Sequence, residues 1–251
     1  RQFHHKDITF SLMYAFSENF VLPISHDEVV HMKGSLRGKM PGDEWRQLAG
    51  VRAFTAYLLA HPGKKLTFMG AELGQWHEWD FASQLDWYLL DNEDNRKTYR
   101  FFKDINRFYL SQSPLWEIDF SWEGFEWLVS DDNHNNVVVF VRRDREGREL
   151  IAAVNFSPVG QAAYRFGVPP KEIYREVFTT DRPEYGGTGD WLNGESIETQ
   201  SVPSHGRPCS ISVKIPPLGA AFFAGEGEWT APDADETTGA SPDDEKEENK
   251  A

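Results

Sequence analysis

The chain has 251 residues, a hydrophobic fraction of 39% and a formal charge of −14, from 40 acidic and 26 basic side chains. This apolar content suffices for a real core, in one large domain or two modest ones. An acidic body with no Lys or Arg cluster argues against a nucleic-acid partner, because phosphates require a basic face. A (β/α)8 barrel alone takes about 250 residues, so the chain cannot hold a complete barrel and a second domain.

Cysteine usage and hydropathy bear on the compartment. The single cysteine, Cys209, excludes an intrachain disulfide framework, which fits a reducing compartment. No apolar run approaches the roughly 18 to 20 residues of a membrane span. We therefore predict a cytoplasmic protein with no membrane partner. The amino end, Arg1 to His5, has neither an initiator Met nor the apolar core of a signal peptide, and we expect the natural chain to begin upstream.

The first part of the chain predicts alternating strands and helices. In chain order, the elements are a buried strand over residues 20–25, a helix over 44–61, a buried strand over 65–70 and a helix over 93–112. Asp43 is the N-cap candidate of the first helix, and Pro114 lies beyond the end of the second. A strand, a helix and a further strand in this order indicate a parallel crossover unit.

After Pro114 the hydrophobic period changes from helical to strand-like. Seven short strands are predicted, over residues 126–129, 137–142, 149–156, 162–166, 173–179, 211–215 and 220–224. Short strands separated by Gly and Pro turns indicate an antiparallel sandwich or barrel. Residues 180–209 predict a long loop. From Glu226 onward the composition is acidic with one aromatic residue, Trp229, and predicts a disordered tail.

The polar triplet His26-Asp27-Glu28 directly follows the first predicted strand. Loops at the carboxyl ends of parallel strands are where barrel enzymes place catalytic groups. A carboxylate beside an imidazole suits a sugar-cleaving site, where it stabilises an oxocarbenium-like transition state. The simpler alternative is a capping Asp and a hydrogen-bonded His, and the dipeptide alone does not decide between them.

A metal site is a competing hypothesis for the same segment. Residues 27–31, Asp-Glu-Val-Val-His, approach the zinc-protease helix motif, but that motif requires His at its first position. His26 and His31 are five residues apart, about 500 degrees of helical turn, so they point in different directions. We therefore predict no metal and no other cofactor.

Several stretches resemble, in order, those of bacterial glycogen branching enzymes, which are members of the alpha-amylase superfamily. Residues 20–31 are similar to the fourth signature region of that family. Residues 64–75, with Glu78-Trp79 and Leu85-Asp86-Trp87, are similar to its eighth-strand region. Stretches similar to its carboxy-terminal beta domain lie at residues 124–128, 141–144, 204–207 and 216–218.

The resemblance implies a fold class that is α/β and then all-β. Residues 1–114 would form the last strands and helices of a (β/α)8 catalytic barrel. Residues 115–225 would form an antiparallel β-sandwich, followed by the disordered acidic tail at 226–251. It also implies a 1,4-alpha-glucan branching reaction of glycogen biosynthesis, in which an alpha-1,4 link is opened and the freed chain passes to a 6-hydroxyl.

The resemblance also implies roles for particular residues. Asp27 corresponds to the carboxylate that stabilises the transition state, and His26 to the imidazole that contacts the sugar. Glu72, Trp76 and Trp79 fall in the loop after the next strand and would line the glucan channel. The family's nucleophile and acid/base regions are on earlier strands, and this sequence contains neither. We therefore expect the chain alone to be inactive, with alpha-glucan (glycogen or amylose) and the rest of the barrel as its partners.

Two other functions remain open. In one, the chain is a non-catalytic module whose beta domain binds glucan or docks on another domain. In the other, it belongs to a debranching or trehalose-releasing hydrolase, which shares the His26-Asp27 pair but transfers the sugar to water. The continuation Glu28-Val29-Val30-His31 favours branching.

Overall fold

A computed structural model describes residues 2–22 and 24–230. The helices and strands are α1 His5–Thr9, β1 Val21–Leu22, α2 Glu44–Ala60, β2 Lys64–Lys65, α3 Glu93–Ser111, β3 Phe125–Val129, β4 Val137–Arg143, β5 Glu149–Asn155, β6 Gln161–Gly167, β7 Ile173–Thr179, β8 Ile197–Glu198, β9 Ser210–Ile215 and β10 Gly219–Glu226. Of the tail predicted to be disordered, residues 231–251 lie outside the described residues.

Both long helices begin at side-chain caps that satisfy amide groups of the first turn. The Asp43 carboxylate accepts a hydrogen bond from the backbone N–H of Arg46 at 2.9 Å, which confirms the predicted start of α2. The Asn92 side chain accepts from the N–H groups of Asp94 and Asn95 at the start of α3. The two predicted helices are therefore confirmed, each ending one residue earlier than expected. Within the described ranges, neither is long and apolar enough to cross a membrane.

The two short strands β1 and β2 lie side by side and parallel. Two further backbone hydrogen bonds lengthen the pair. The Ile24 N–H donates to the Leu66 carbonyl at 2.9 Å, and the Lys64 N–H donates to the Phe20 carbonyl at 3.1 Å. The crossover from β1 through α2 to β2 is therefore the parallel unit that the strand and helix order predicts.

The predicted length and burial of these two strands are wrong. In place of strands over residues 20–25 and 65–70, each has two residues, and Val21 is 58% exposed. Among the described residues, β1 and β2 pair only with each other. Each of these strands is hydrogen-bonded to a neighbour on one side, so it lacks the second neighbour that would extend its pairing. Parallel strands are usually buried because helices cover both faces of their sheet, and this pair lacks that cover.

The larger sheet has six antiparallel strands in the order β3-β4-β5-β10-β7-β8. The seven strands predicted after Pro114 are all present and correspond, in chain order, to β3, β4, β5, β6, β7, β9 and β10. The loop predicted over residues 180–209 is interrupted by β8, which pairs with β7. Two residues are too few to show a strand-like hydrophobic period, so the sequence does not reveal β8.

The six-stranded sheet is covered on both faces. Along β4, Val138 and Phe140 pack in the cluster formed with the helices, whereas Val139 and Val141 pack in the cluster formed with the small sheet β6–β9. Successive strand residues point to opposite faces, so each face buries its own set. The result is three layers: helices, large sheet and small sheet. The predicted antiparallel all-β domain is confirmed.

A buried ion pair ties the parallel strands to the large sheet. Arg142 on β4 donates to the Asp119 carboxylate at 2.8 Å and to the Ala60 carbonyl at the end of α2 at 2.7 Å. Asp119 also accepts from Lys64 of β2 at 2.8 Å. Burial by itself raises the pKa of Asp119, but the charges of Lys65 and Arg142 and its hydrogen bonds outweigh burial and leave that pKa below its usual value. The carboxylate therefore stays charged at neutral pH.

Candidate functional site

The residues His26, Asp27 and Glu28 form a single 3-10 turn after β1, and Ser25 caps it. The Glu28 carboxylate accepts hydrogen bonds from the Ser25 N–H at 2.6 Å and from the Ser25 hydroxyl at 2.8 Å. The Ser25 hydroxyl in turn accepts from the Asp27 N–H at 3.2 Å. This reciprocal arrangement is a capping box, in which cap and third residue each satisfy the other's amide.

The turn presents two side chains to solvent. His26 Nε2 lies 3.3 Å from Asp27 Oδ1, and the two side chains are 58% and 69% exposed. The Lys33 ammonium donates to the backbone carbonyl of Asp27 at 2.7 Å and leaves its carboxylate open. A substrate can therefore reach both groups that the sequence assigns to chemistry.

The loops that follow β1 and β2 meet at a cluster of rings in tilted and edge-to-face contact. The Phe68 ring centre lies 6.2 Å from that of His26 and 5.2 Å from that of Trp79. The Trp79 N–H also donates to the Val29 carbonyl at 3.2 Å. Of the predicted site residues, His26, Asp27 and Trp79 are thus brought together, with Phe68 between the imidazole and the indole.

Trp76 and Glu72 lie farther along the second loop. The Trp76 ring is 51% exposed, and the guanidinium of Arg37 lies 5.4 Å from its centre in a cation–π contact. Glu72 is half-buried in the turn before it. In the part of the chain that the structure describes, no hydrogen bond, ion pair or ring contact joins Glu72 or Trp76 to the His26-Asp27 turn.

A polar cavity of about 390 Å³ opens in the same loop. Its lining includes Glu78, Trp79 and the pair His77 and Asp86, whose Nδ1 and Oδ2 are 2.9 Å apart. One carboxylate oxygen of Glu78 is buried without a hydrogen-bond partner among the described atoms. Acceptors and one indole face in a single cavity suit a polyhydroxylated ligand better than an anion.

A larger cavity lies elsewhere. It measures about 520 Å³ and is mostly apolar, bounded by residues between His4 and Ser11, by α2 and by the near edge of the beta domain. Phe54, Tyr57 and Leu218 are among its lining residues, and neither His26 nor Asp27 is. Although His4, Asp7 and His61 are also among the lining residues, a mostly apolar wall suits a polyhydroxylated sugar poorly, so the exposed turn and its loop remain the better candidate site.

The exposed turn has some of the groups that a glycosidase site requires, but not all of them. Retaining enzymes need two carboxyl groups about 5 to 5.5 Å apart, one as nucleophile and one as acid/base. Glu28 is next to Asp27, but its carboxylate turns back to cap Ser25. Within residues 2–22 and 24–230, no three His, Cys, Asp or Glu side chains are grouped so that they could hold a metal ion. The exposed carboxylate of Asp27 has the charge to stabilise a developing positive charge on a sugar.

Sequence reasoning missed three contributors to this site. Phe68 was assigned to a buried strand, and Arg37 carried no motif. Glu28 was considered as part of the polar triplet and of a metal motif but not as a cap, although Ser25-His26-Asp27-Glu28 has the capping-box spacing of Ser, two residues and Glu. That spacing was the one available signal, because Phe68 contacts His26 and Arg37 contacts Trp76, each about 40 residues away in the sequence.

A known protein family and a solved structure resemble parts of the chain. The family described as the alpha amylase C-terminal all-beta domain matches residues 127–226, the stretch from β3 to β10. Among solved structures, a debranching enzyme from Nostoc punctiforme superimposes with a TM-score of 0.48 and 16% identity, over 70% of this chain and 31% of that one.

Curated proteins match along nearly the whole chain. The 1,4-alpha-glucan branching enzyme GlgB of Aquifex aeolicus is 50% identical over 228 residues, which are 90% of this chain and 36% of that protein. GlgB of Rubrobacter xylanophilus is 49% identical over 89% of this chain and 31% of that protein, and GlgB of Aromatoleum aromaticum is 47% identical over 93% and 37%. The chain thus spans about a third of the length of these relatives, and over nearly its whole length it is similar to bacterial 1,4-alpha-glucan branching enzymes.

Proposed function

We propose that the chain is part of a 1,4-alpha-glucan branching enzyme, which cleaves alpha-1,4 links and forms alpha-1,6 links in glycogen synthesis. The observation that carries the proposal is 50% identity over 90% of the chain to a protein with that name. The exposed His26-Asp27 turn at the carboxyl end of β1 supports it, because barrel enzymes place their chemistry there.

In this proposal the chain divides into three parts. Residues 1–114, with β1, α2, β2 and α3, are the end of a (β/α)8 barrel, residues 115–225 are the beta domain, and residues 226–251 are an acidic tail. The exposed edges of β1 and β2 favour a barrel whose other strands come from the rest of the protein, because unpaired strand edges are a liability.

Asp27 would stabilise the oxocarbenium-like transition state, and His26 would hold a hydroxyl of the sugar at the cleaved link. Glu72, Trp76 and Trp79 would line the glucan channel, the indole rings against sugar faces. A nucleophile and an acid/base from the remainder of the barrel would complete the reaction. Its substrate is an alpha-glucan, both as donor and as acceptor.

The test is a branching assay on amylose, following the loss of iodine colour and the gain of alpha-1,6 links by proton NMR. We expect activity in the chain extended upstream to a complete barrel and none in the present chain. In the extended chain, Asp27→Asn should lower kcat by about 10³-fold or more, since members of a catalytic set act as a unit.

The matched control is Asp131→Asn, which makes the same change at an exposed aspartate of the beta domain and should leave kcat unaltered. Activity in neither chain, with both folded, would overturn the enzyme proposal. Release of glucose chains to water without new alpha-1,6 links would replace branching by hydrolysis.

A further inference from the structure

We propose that Glu28 is a positioning residue, which sets the orientation of Asp27 through the Ser25 hydroxyl; the inference rests on the proposed function of Asp27. Nothing in the relatives' names assigns a role to this carboxylate. It lies one residue after Asp27, but its oxygen points back along the chain to Ser25.

The direction of the Ser25 hydroxyl is set by the acceptor of its single O–H. A hydroxyl has one O–H to donate and two lone pairs with which to accept. The Ser25 hydroxyl donates its hydrogen bond to the Glu28 carboxylate at 2.8 Å. The lone pairs of Ser25 Oγ are then free to accept from the Asp27 N–H at 3.2 Å. An ionised acceptor at Glu28 therefore decides which way the hydroxyl points, and with it the hydrogen bond on the Asp27 backbone.

The charge of Glu28 is secured by its surroundings. The hydrogen bond from the Ser25 hydroxyl lowers the pKa of Glu28, and the Ser25 amide and the Lys33 ammonium act in the same direction, against a smaller opposing effect of burial. The carboxylate is thus ionised throughout the neutral range. Lys33 also donates to the carbonyl of Asp27 at 2.7 Å, so the Asp27 residue is held at both its N–H and its C=O.

This backbone restraint matters because the reactive side chains have little support of their own. The carboxylate of Asp27 and the imidazole of His26 are mostly exposed, and among residues 2–22 and 24–230 these two groups contact each other and, for His26, Phe68. Catalytic groups must be held within about 0.5 Å of the productive geometry, and a misplacement of about 1 Å can cost about 10²-fold in rate. In this turn, the Ser25–Glu28 bridge is the local device that supplies that precision.

The experiment compares kcat and KM on amylose for variants of the protein that contains the complete barrel. Glu28→Ala and Ser25→Ala should each lower kcat by about 10²-fold and change KM by less than about 3-fold. Glu28→Gln keeps one acceptor oxygen and should recover kcat to within about tenfold of the unmodified protein. The double variant Ser25→Ala, Glu28→Ala should lower kcat no further than either single alanine variant does, because both changes remove the same restraint.

Controls separate this inference from the proposed function. Glu18→Ala removes an exposed glutamate just before β1 and should leave kcat unchanged, and Asp27→Asn reports on the site itself. If Asp27→Asn is inactive while Glu28→Ala retains full kcat, or changes only KM, the positioning role is overturned and the function stands. If Asp27→Asn is active, the function itself fails.

Two further outcomes complete the test. If Glu28→Gln is as inactive as Asp27→Asn, Glu28 transfers a proton rather than positions its neighbour, and the inference is wrong. If Glu28→Ala does not fold, as judged by its thermal unfolding, then Glu28→Gln and Ser25→Ala decide by the same kcat criterion.

Discussion

The beta domain and the first part of the chain differ in how completely each buries its own strands. Every residue of β4 from Val137 to Arg142 is buried, because the large sheet has a layer on each face. The parallel pair β1–β2 has two residues a strand, and several large apolar side chains of the first region are exposed, namely Phe3, Phe10, Met13, Val21, Leu66 and Met69. The strands of the first region are thus poorly covered, whereas the large sheet is covered by helices on one face and by the small sheet on the other.

The two regions are nevertheless one packed body in the described structure. Helices α2 and α3 bury their apolar faces on the large sheet, so Phe101 and Phe102 share a cluster with Phe140 and Phe222. Large exposed apolar patches mark surfaces that bind a partner. The helices of the first region are therefore held in place by the large sheet on one side, whereas apolar side chains of that region are exposed on the other side.

The largest expected effect comes from the ion pair that connects the regions. Arg142→Met should lower the free energy of unfolding by about 3 to 5 kcal/mol, because it leaves the buried carboxylate of Asp119 with Lys64 alone, among the described residues, as a hydrogen-bonded cation. Arg145→Met, at an exposed arginine whose partner Glu117 is 3.9 Å away, should change it by less than about 0.5 kcal/mol. Urea unfolding followed by tryptophan fluorescence measures both. Equal effects would show that Arg142 does not connect the regions.

A matched pair of Phe→Ala changes sharpens the comparison. Phe166→Ala, at a residue fully buried between the two sheets, should lower the free energy of unfolding by about 3 to 4 kcal/mol. Phe10→Ala, at a residue that is 55% exposed, should lower it by less than about 1 kcal/mol. In the protein with a complete barrel, the cost at Phe10 should rise, since the proposed barrel would cover it. A cost at Phe10 that is the same in both proteins would mean that this surface stays open.

The smallest expected effect is a pH dependence at the edge of the open region. His61 is buried, with Nε2 at 2.9 Å from the Ser11 hydroxyl, and burial is the main reason that its pKa falls to about 4. Between about pH 6.5 and 4 the unfolded chain binds a proton that the folded chain does not. Stability should therefore decrease as the pH falls through this window, by about 2 kcal/mol from pH 7 to pH 5.

Urea unfolding at pH 7 and at pH 5 measures this loss. His61→Gln should make the unfolding free energy less dependent on pH, by about the same 2 kcal/mol. His134→Gln, at an exposed histidine in the loop before β4, is the control. If both variants keep the full pH dependence, the proton is taken up at another group.

Much of the secondary structure could be predicted because it depends on local signals. The N-cap at Asp43 and the strand-like period after Pro114 are readable in a few neighbouring residues. The predicted strands over 20–25 and 65–70 failed for the opposite reason. An apolar run shows that a segment can be buried, but its length as a strand depends on neighbours far along the chain.

The candidate site divides in the same way. His26 and Asp27 follow from a motif, and the Ser25–Glu28 bridge follows from a spacing of three residues that could have been recognised. The contact between Phe68 and His26 could not, because it forms only when two loops about 40 residues apart along the chain are set side by side by β1 and β2.

By itself, the sequence determined the order of the two long helices and of most of the strands, the antiparallel character of the second half and the resemblance to branching enzymes. Tertiary structure alone decided that β4 is buried on both faces, that the helices pack on the large sheet, and that Arg142 is fully buried. A charged residue at a strand end reads as exposed in any local pattern. Arg142 is buried because Asp119, 23 residues away, and the Ala60 carbonyl, 82 residues away, satisfy its hydrogen bonds, and contacts at such separations exist only in the folded chain.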